Sequence, residues 1–160
     1  MKKVILTTRS AALLALIAAI ALFSSFSANR GGEGFEIYLN SKLVLQQFGS
    51  NMNTIKSIQL DQRSANDQLV VKYYHCGHAG KNRSIAIKDA RNKILKEWKF
   101  TNTSAASLSI SDAAMSCKVK DILTIQKTNP GQLSLYYSSD EIPKGRLLAN
   151  IISGDLAKAK

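Results

Sequence analysis

A chain of 160 residues with 45% apolar side chains suits one domain of ordinary size with its own core. Its 22 Lys and Arg against 11 Asp and Glu give +11 at pH 7, which favours anionic partners such as acidic polysaccharide, phospholipid head groups or polynucleotide, or serves solubility alone. Beyond the first apolar run no second long apolar stretch exists, which argues against a membrane span in the rest of the chain.

Residues 1–27 read as a secretory signal. Lys2, Lys3 and Arg9 are positive, Ala11 to Phe23 is apolar, and Ser24-Ser25-Phe26-Ser27-Ala28 supplies small residues for a cut between Ser27 and Ala28. The alternative is a retained anchor, but thirteen apolar residues fall short of the roughly 20 a spanning helix needs. No Cys follows the run to carry a lipid. Removing the three basic residues of this leader lowers the charge from +11 to +8. The expected protein is exported, periplasmic or extracellular.

Residues 28–34 form a glycine-rich lead-in, 35–152 a single β domain, and 153–160 a frayed basic tail. Phe35, Ile37 and Leu39 alternate with Glu36 and Tyr38, Asn40-Ser41 turns the chain, and Leu43 and Leu45 resume the alternation, as in a hairpin. After a loop over 49–54, Ile58 and Leu60 mark a strand. Gln68 to His75 is the strongest strand, rich in Val70, Val71, Tyr73 and Tyr74. A loop over 77–82 precedes Ile85 and Ile87. Asp89-Ala90-Arg91-Asn92 is a hairpin turn, and Ile94 to Phe100 returns with Ile94 and Trp98 on the core face. Residues 101–107 read as a polar linker and Leu108 and Ile110 as a short strand. Met115 to Ile125 fits either a strand or a helix, and a short helix over 119–127 is preferred. Asn129-Pro130-Gly131 turns into Leu133, Leu135 and Tyr137. A turn at Ile142-Pro143-Lys144-Gly145 leads to a last strand over 146–152. Eight or nine short strands with turns between them predict an all-β fold, mainly antiparallel, as a sandwich or barrel.

Cys76 and Cys117 are an even count in an exported chain and predict a disulfide, with free thiols as the alternative. His75-Cys76-Gly77-His78 holds both histidines. His75 and His78 could clasp a metal ion, yet only two ligands remain if Cys76 is bridged, and the commoner reading is two loop histidines beside a structural cysteine. Gly77 to Asn82 faintly echoes a phosphate loop but has the wrong spacing and no following Ser or Thr, so nucleotide binding is rejected. Lys81, Arg83, Lys88, Arg91 and Lys93, with Lys96 and Lys99, could form an anion-binding hairpin. Alternatively they are solvated charges that protect a sheet edge.

No nucleophile-elbow sequence frames a serine, and nothing singles out a pair among Asp61, Asp67, Asp140 and Glu141 for glycoside hydrolysis. The doublets Tyr73-Tyr74 and Tyr136-Tyr137 place one ring in the core and one outside; the outer pair could form a ligand face or a cross-strand pair. Asn82-Arg83-Ser84 and Asn102-Thr103-Ser104 match the glycosylation pattern. The expectation is a non-catalytic binding or structural domain needing no cofactor, its partner an anionic surface or another envelope protein. Metal binding and anionic-surface binding are the alternatives.

Overall fold

The computed structural model describes residues 32–76, 79–100 and 114–154. The signal segment, the linker and short strand expected over 101–110, His78 and the end of the tail lie outside them. The fold is a mostly β sandwich of two sheets with one α-helix and no barrel closure.

The first sheet has the order β2-β1-β4-β7: β1 is Gly34–Leu39, β2 Lys42–Phe48, β4 Gln68–Tyr74 and β7 Ala114–Lys118. The second has the order β3-β9-β8-β5-β6: β3 is Lys56–Leu60, β5 Arg83–Lys88, β6 Ile94–Phe100, β8 Leu133–Ser139 and β9 Ile142–Ser153. All pairings are antiparallel except β3 on β9. Period-two alternation supplies the core: Phe35 and Ile37, Leu69, Val71 and Tyr73, and Met115 and Cys117 from one sheet meet Ile58, Ile85, Ile87, Leu133, Leu135 and Tyr137 from the other.

The segment that fits either period is both elements in turn. β7 ends at Lys118, and α1 (Val119–Thr128) starts at the next residue, burying Val119, Ile122 and Leu123. Asp121 in its first turn and Lys127 in its last suit the helix dipole. Lys96 of β6 pins the helix to the second sheet through Asp121 at 2.9 Å.

Two β-bulges turn expected core residues outward. One in the β1–β2 pairing leaves Leu43 43% exposed while Leu45 stays buried. The other, in the β5–β6 pairing, sets Ile94 opposite Lys88 and 51% exposed, so Ile94 does not share the core with Trp98. The last turn also comes earlier than expected: Asp140-Glu141 joins β8 to β9, and β9 already runs through Ile142 to Gly145.

The expected disulfide is absent. Cys76 is exposed and Cys117 is buried, both as free thiols. The register is the reason. Cys117 pairs with Leu69 at the start of β4, whereas Cys76 follows the end of the same strand. That strand is about 20 Å long at roughly 3.3 Å per residue, and a disulfide tolerates a Cα separation of no more than about 7 Å. Burial pushes the Cys117 thiol up to about 12, with the Asp121 charge adding to the rise, so it stays protonated and inert. Alkylation of the folded protein without reductant is therefore expected to add one adduct, on Cys76, and a second only in denaturant. Intact mass before and after unfolding checks this.

Candidate functional site

The sandwich has two chemically different ends. One is built where β1 begins, β4 ends at Tyr74, β5 begins at Arg83, β6 ends at Phe100 and the β8–β9 turn closes. There the inward alternation of β4 and β8 brings Tyr73 and Tyr137 face to face across the two sheets, with ring centroids 4.1 Å apart and planes 7° from parallel. Both are fully buried, so each hydroxyl needs a partner. Tyr73 Oη donates to Glu33 Oε1 at 2.6 Å, and Glu33 Oε2 meets Arg146 at 3.1 Å. Tyr137 Oη lies 2.9 Å from His75 Nε2. Burial pushes the Tyr137 hydroxyl up to about 12, so it remains protonated.

His75 is 8% exposed. Its Nε2 also has Ser139 Oγ at 3.3 Å and Glu141 Oε2 at 4.0 Å. A Ser–His–carboxylate relay needs the acid on the ring nitrogen opposite the serine. Here Ser139, Tyr137 and Glu141 all face one nitrogen, and Ser139 is buried, so this arrangement is not that relay. For Glu141, burial acts to raise the carboxyl pKa, but the Ser139 hydroxyl, its own N–H and the Lys81 N–H, and the neighbouring His75 outweigh it and hold it below the usual range. Gly80 lies close against the group. A Cβ there would stand 2.5 Å from Tyr137 Oη and 2.7 Å from His75 Nε2, so only glycine fits.

Beside this cluster is a cleft of about 410 Å³. Arg83, Ser84 and Ser139, each no more than 5% exposed, contribute to its lining with Asn82, Glu97, Lys99, Ser138, Asp140, Phe100 and Pro143. Ser84 Oγ donates to Glu97 Oε1 at 2.8 Å and lies 2.8 Å from Ser138 Oγ, and Asn82 donates to Asp140 at 2.8 Å.

The opposite end holds the β5–β6 turn and α1. Asp89 Oδ1 accepts the N–H groups of Arg91 and Lys93, which closes the turn as its residue types imply. Every acid described near this end is engaged: Asp89 in the turn, Asp61 with Arg63, Asp67 with Asn40, and Asp121 with Lys96. Arg91 and Lys93 are exposed, as are Lys120 and Lys127 on α1. Lys88 lies over the Tyr136 ring at 4.1 Å. Exposed Ile94 sits opposite Lys88, and Ile152 is 44% exposed.

The structure therefore divides the residues expected to bind anions. Lys88, Arg91 and Lys93 gather at one end. Arg83 is buried in the cleft at the other, and Lys81 stands beside it in the loop over Glu141. Lys120 and Lys127, distant in sequence, are the cations that sequence proximity missed. Among the described residues no group of three or more His, Cys, Asp or Glu is placed to hold a metal ion, and His75 faces a tyrosine hydroxyl. The outer tyrosines do not form one face: Tyr74 lies on the first sheet, donating to Glu36, and Tyr136 on the second, donating to Asn92. Comparison with protein-family models, with curated proteins and with solved structures gives no match.

The cluster sets two expectations for stability. Tyr137→Phe, which removes the His75 hydrogen bond, should cost about 1 kcal/mol, and Tyr137→Ala about 3–5 kcal/mol; chemical denaturation measures both. The second concerns pH. The Glu141 carboxyl is lowered in the fold, so it stabilises the protein above the ordinary carboxylate range and loses that effect as pH falls through its lowered value. The Tm gap between wild type and Glu141→Gln should be widest near neutrality and close in acid.

Proposed function

We propose that the chain is an exported, non-catalytic domain that docks on an anionic phospholipid surface through the β5–β6 turn and α1. The observation that carries this reading is the asymmetry of the charges. At this end each acid is held in a turn, a hydrogen bond or an ion pair, while Lys88, Arg91, Lys93, Lys120 and Lys127 enter no ion pair among the described residues. The end of α1 reaches the turn, because Asp89 to Arg91 line one groove with Thr128, the last residue of α1, and with Asn129 to Leu133.

Two further features favour a membrane over a soluble polyanion. Ile94 and Ile152 project from the same outer sheet face as Lys88, and exposed aliphatic groups among cations suit the boundary between head groups and acyl chains. Exposed aromatics for stacking nucleobases are missing from this end among the described residues, since Tyr136 is half-buried beneath Lys88. No helix of the described residues is long and apolar enough to cross a membrane, so the contact proposed is peripheral. A leader over 1–27 and the basic balance of the chain agree with this location.

Each cation near an anionic bilayer contributes about 1 kcal/mol, so Lys88, Arg91 and Lys93 together supply about 3 kcal/mol, on the order of a hundredfold in partitioning. Sedimentation with phosphatidylglycerol-containing vesicles should pellet the protein at low salt, and pure phosphatidylcholine vesicles should not. Reversing Lys88, Arg91 and Lys93 to Glu should abolish pelleting, and Ile94→Ser should weaken it. Undiminished pelleting of the triple variant would overturn the reading. Retention on heparin without vesicle binding would replace the membrane with an acidic polysaccharide.

A further inference from the structure

We infer that the cleft at the His75 end is a binding site for an uncharged saccharide. It lies at the other end of the sandwich from the proposed membrane contact and does not depend on it.

Its volume of about 410 Å³ falls within the roughly 300–1,000 Å³ of small-molecule sites. The lining is rich in groups that both give and accept hydrogen bonds, notably Ser84, Ser138, Ser139 and Asn82. Sugar hydroxyls have the same dual character. The formal charges cancel: Arg83 and Lys99 stand with Glu97 and Asp140. The two acids are also engaged locally, Glu97 by Ser84 at 2.8 Å and Lys99 at 3.7 Å, and Asp140 by Asn82 at 2.8 Å. A polyanion meets two acids beside the two cations here, unlike at the basic end. What remains is lone-pair capacity on two carboxylates already fixed in place, with hydroxyl and amide groups between them.

Phe100 and Pro143 add apolar walls, which suit the C–H face of a pyranose ring. The polar groups are cross-linked before any ligand arrives. Ser84 bridges Glu97 of β6 and Ser138 of β8, and the Asp140 N–H donates to Lys81 O at 3.0 Å, joining the β8–β9 turn to the loop before β5. Such a site loses little side-chain freedom on binding, which favours affinity for a small, flexible, strongly hydrated ligand.

The test is titration of the full chain with neutral tetrasaccharides of glucose and of N-acetylglucosamine, followed by amide chemical shifts. At least one of the two should shift resonances of the cleft residues, with Kd between micromolar and millimolar. That Kd should change little between about 50 and 300 mM salt, in contrast to an electrostatic contact. Ser138→Ala and Asp140→Asn, on a half-buried and an exposed residue, should each weaken binding about tenfold while lowering the melting temperature by a few degrees at most, since each touches one hydrogen bond. Reversal of Lys88, Arg91 and Lys93 should leave it intact, which keeps this result separate from vesicle binding. Absence of shifts with both sugars at about 10 mM, shifts untouched by either cleft substitution, or a Kd that climbs steeply with salt would each overturn the inference.

Discussion

The contact on which the rest of this structure depends is the stack of Tyr73 on Tyr137 between the two sheets. Two phenol rings 4.1 Å apart and nearly parallel fix the distance between β4 and β8 at one end of the sandwich. Aliphatic residues could fill the same space without imposing anything further. Tyrosines bring hydroxyls, and a buried hydroxyl without a partner costs about 1–3 kcal/mol. Glu33 is recruited to one ring and His75 to the other. Arg146 then answers the Glu33 charge, Ser139 and Glu141 collect around His75, and Gly80 is held to glycine by lack of room. A packing decision at two core positions thus becomes a polar network across one end of the fold.

That network explains why the cleft lies where it does. The loop over 79–82 is tied to the β8–β9 turn by Lys81 N–H on Glu141, by Asp140 N–H on Lys81 O and by Asn82 on Asp140. The same attachments that shelter His75 also set the wall of the cleft. The other end has no such network. Its described acids are spent on closing turns and on pairing with Arg63 and Lys96, while Lys88, Arg91, Lys93, Lys120 and Lys127 form no ion pair among the described residues. One end is cross-linked and charge-balanced, the other open and basic. A small ligand suits the first and an extended charged surface the second.

Most strands were legible because they carry a clear period of two, and the turns at Asn40, Asp89 and Pro130 follow from residue chemistry. The all-β class follows from those strands, and the short helix after residue 118 was preferred where the spacing fits strand and helix alike. Four features were not legible. A bulge advances the chain by one residue and turns the alternation over, which moved Ile94 and Leu43 from core to surface. Strand register is invisible to spacing, so Cys76 and Cys117 read as partners although β4 separates them lengthwise. Sequence proximity also misled the charge reading. Lys81 and Lys88 flank one strand, and a strand places its ends at opposite ends of a sandwich. That each tyrosine doublet splits into one inner and one outer ring was legible, but which sheet each belongs to was not.

The candidate cleft illustrates a more general limit. Its lining comes from the start of β5, the end of β6 and the β8–β9 turn, and no two of these segments form a recognisable motif. Its residues are common ones: serine, asparagine, a buried arginine and ordinary acids. Catalytic and metal sites announce themselves because their chemistry demands rare residue types at fixed spacings. A site that recognises hydroxyl groups demands only shape and a lattice of donors and acceptors, which antiparallel strands supply from ordinary polar positions. A chain whose function rests on such a site carries little sign of it in sequence, and the cross-linked geometry at the Tyr137 end is where the sign becomes physical.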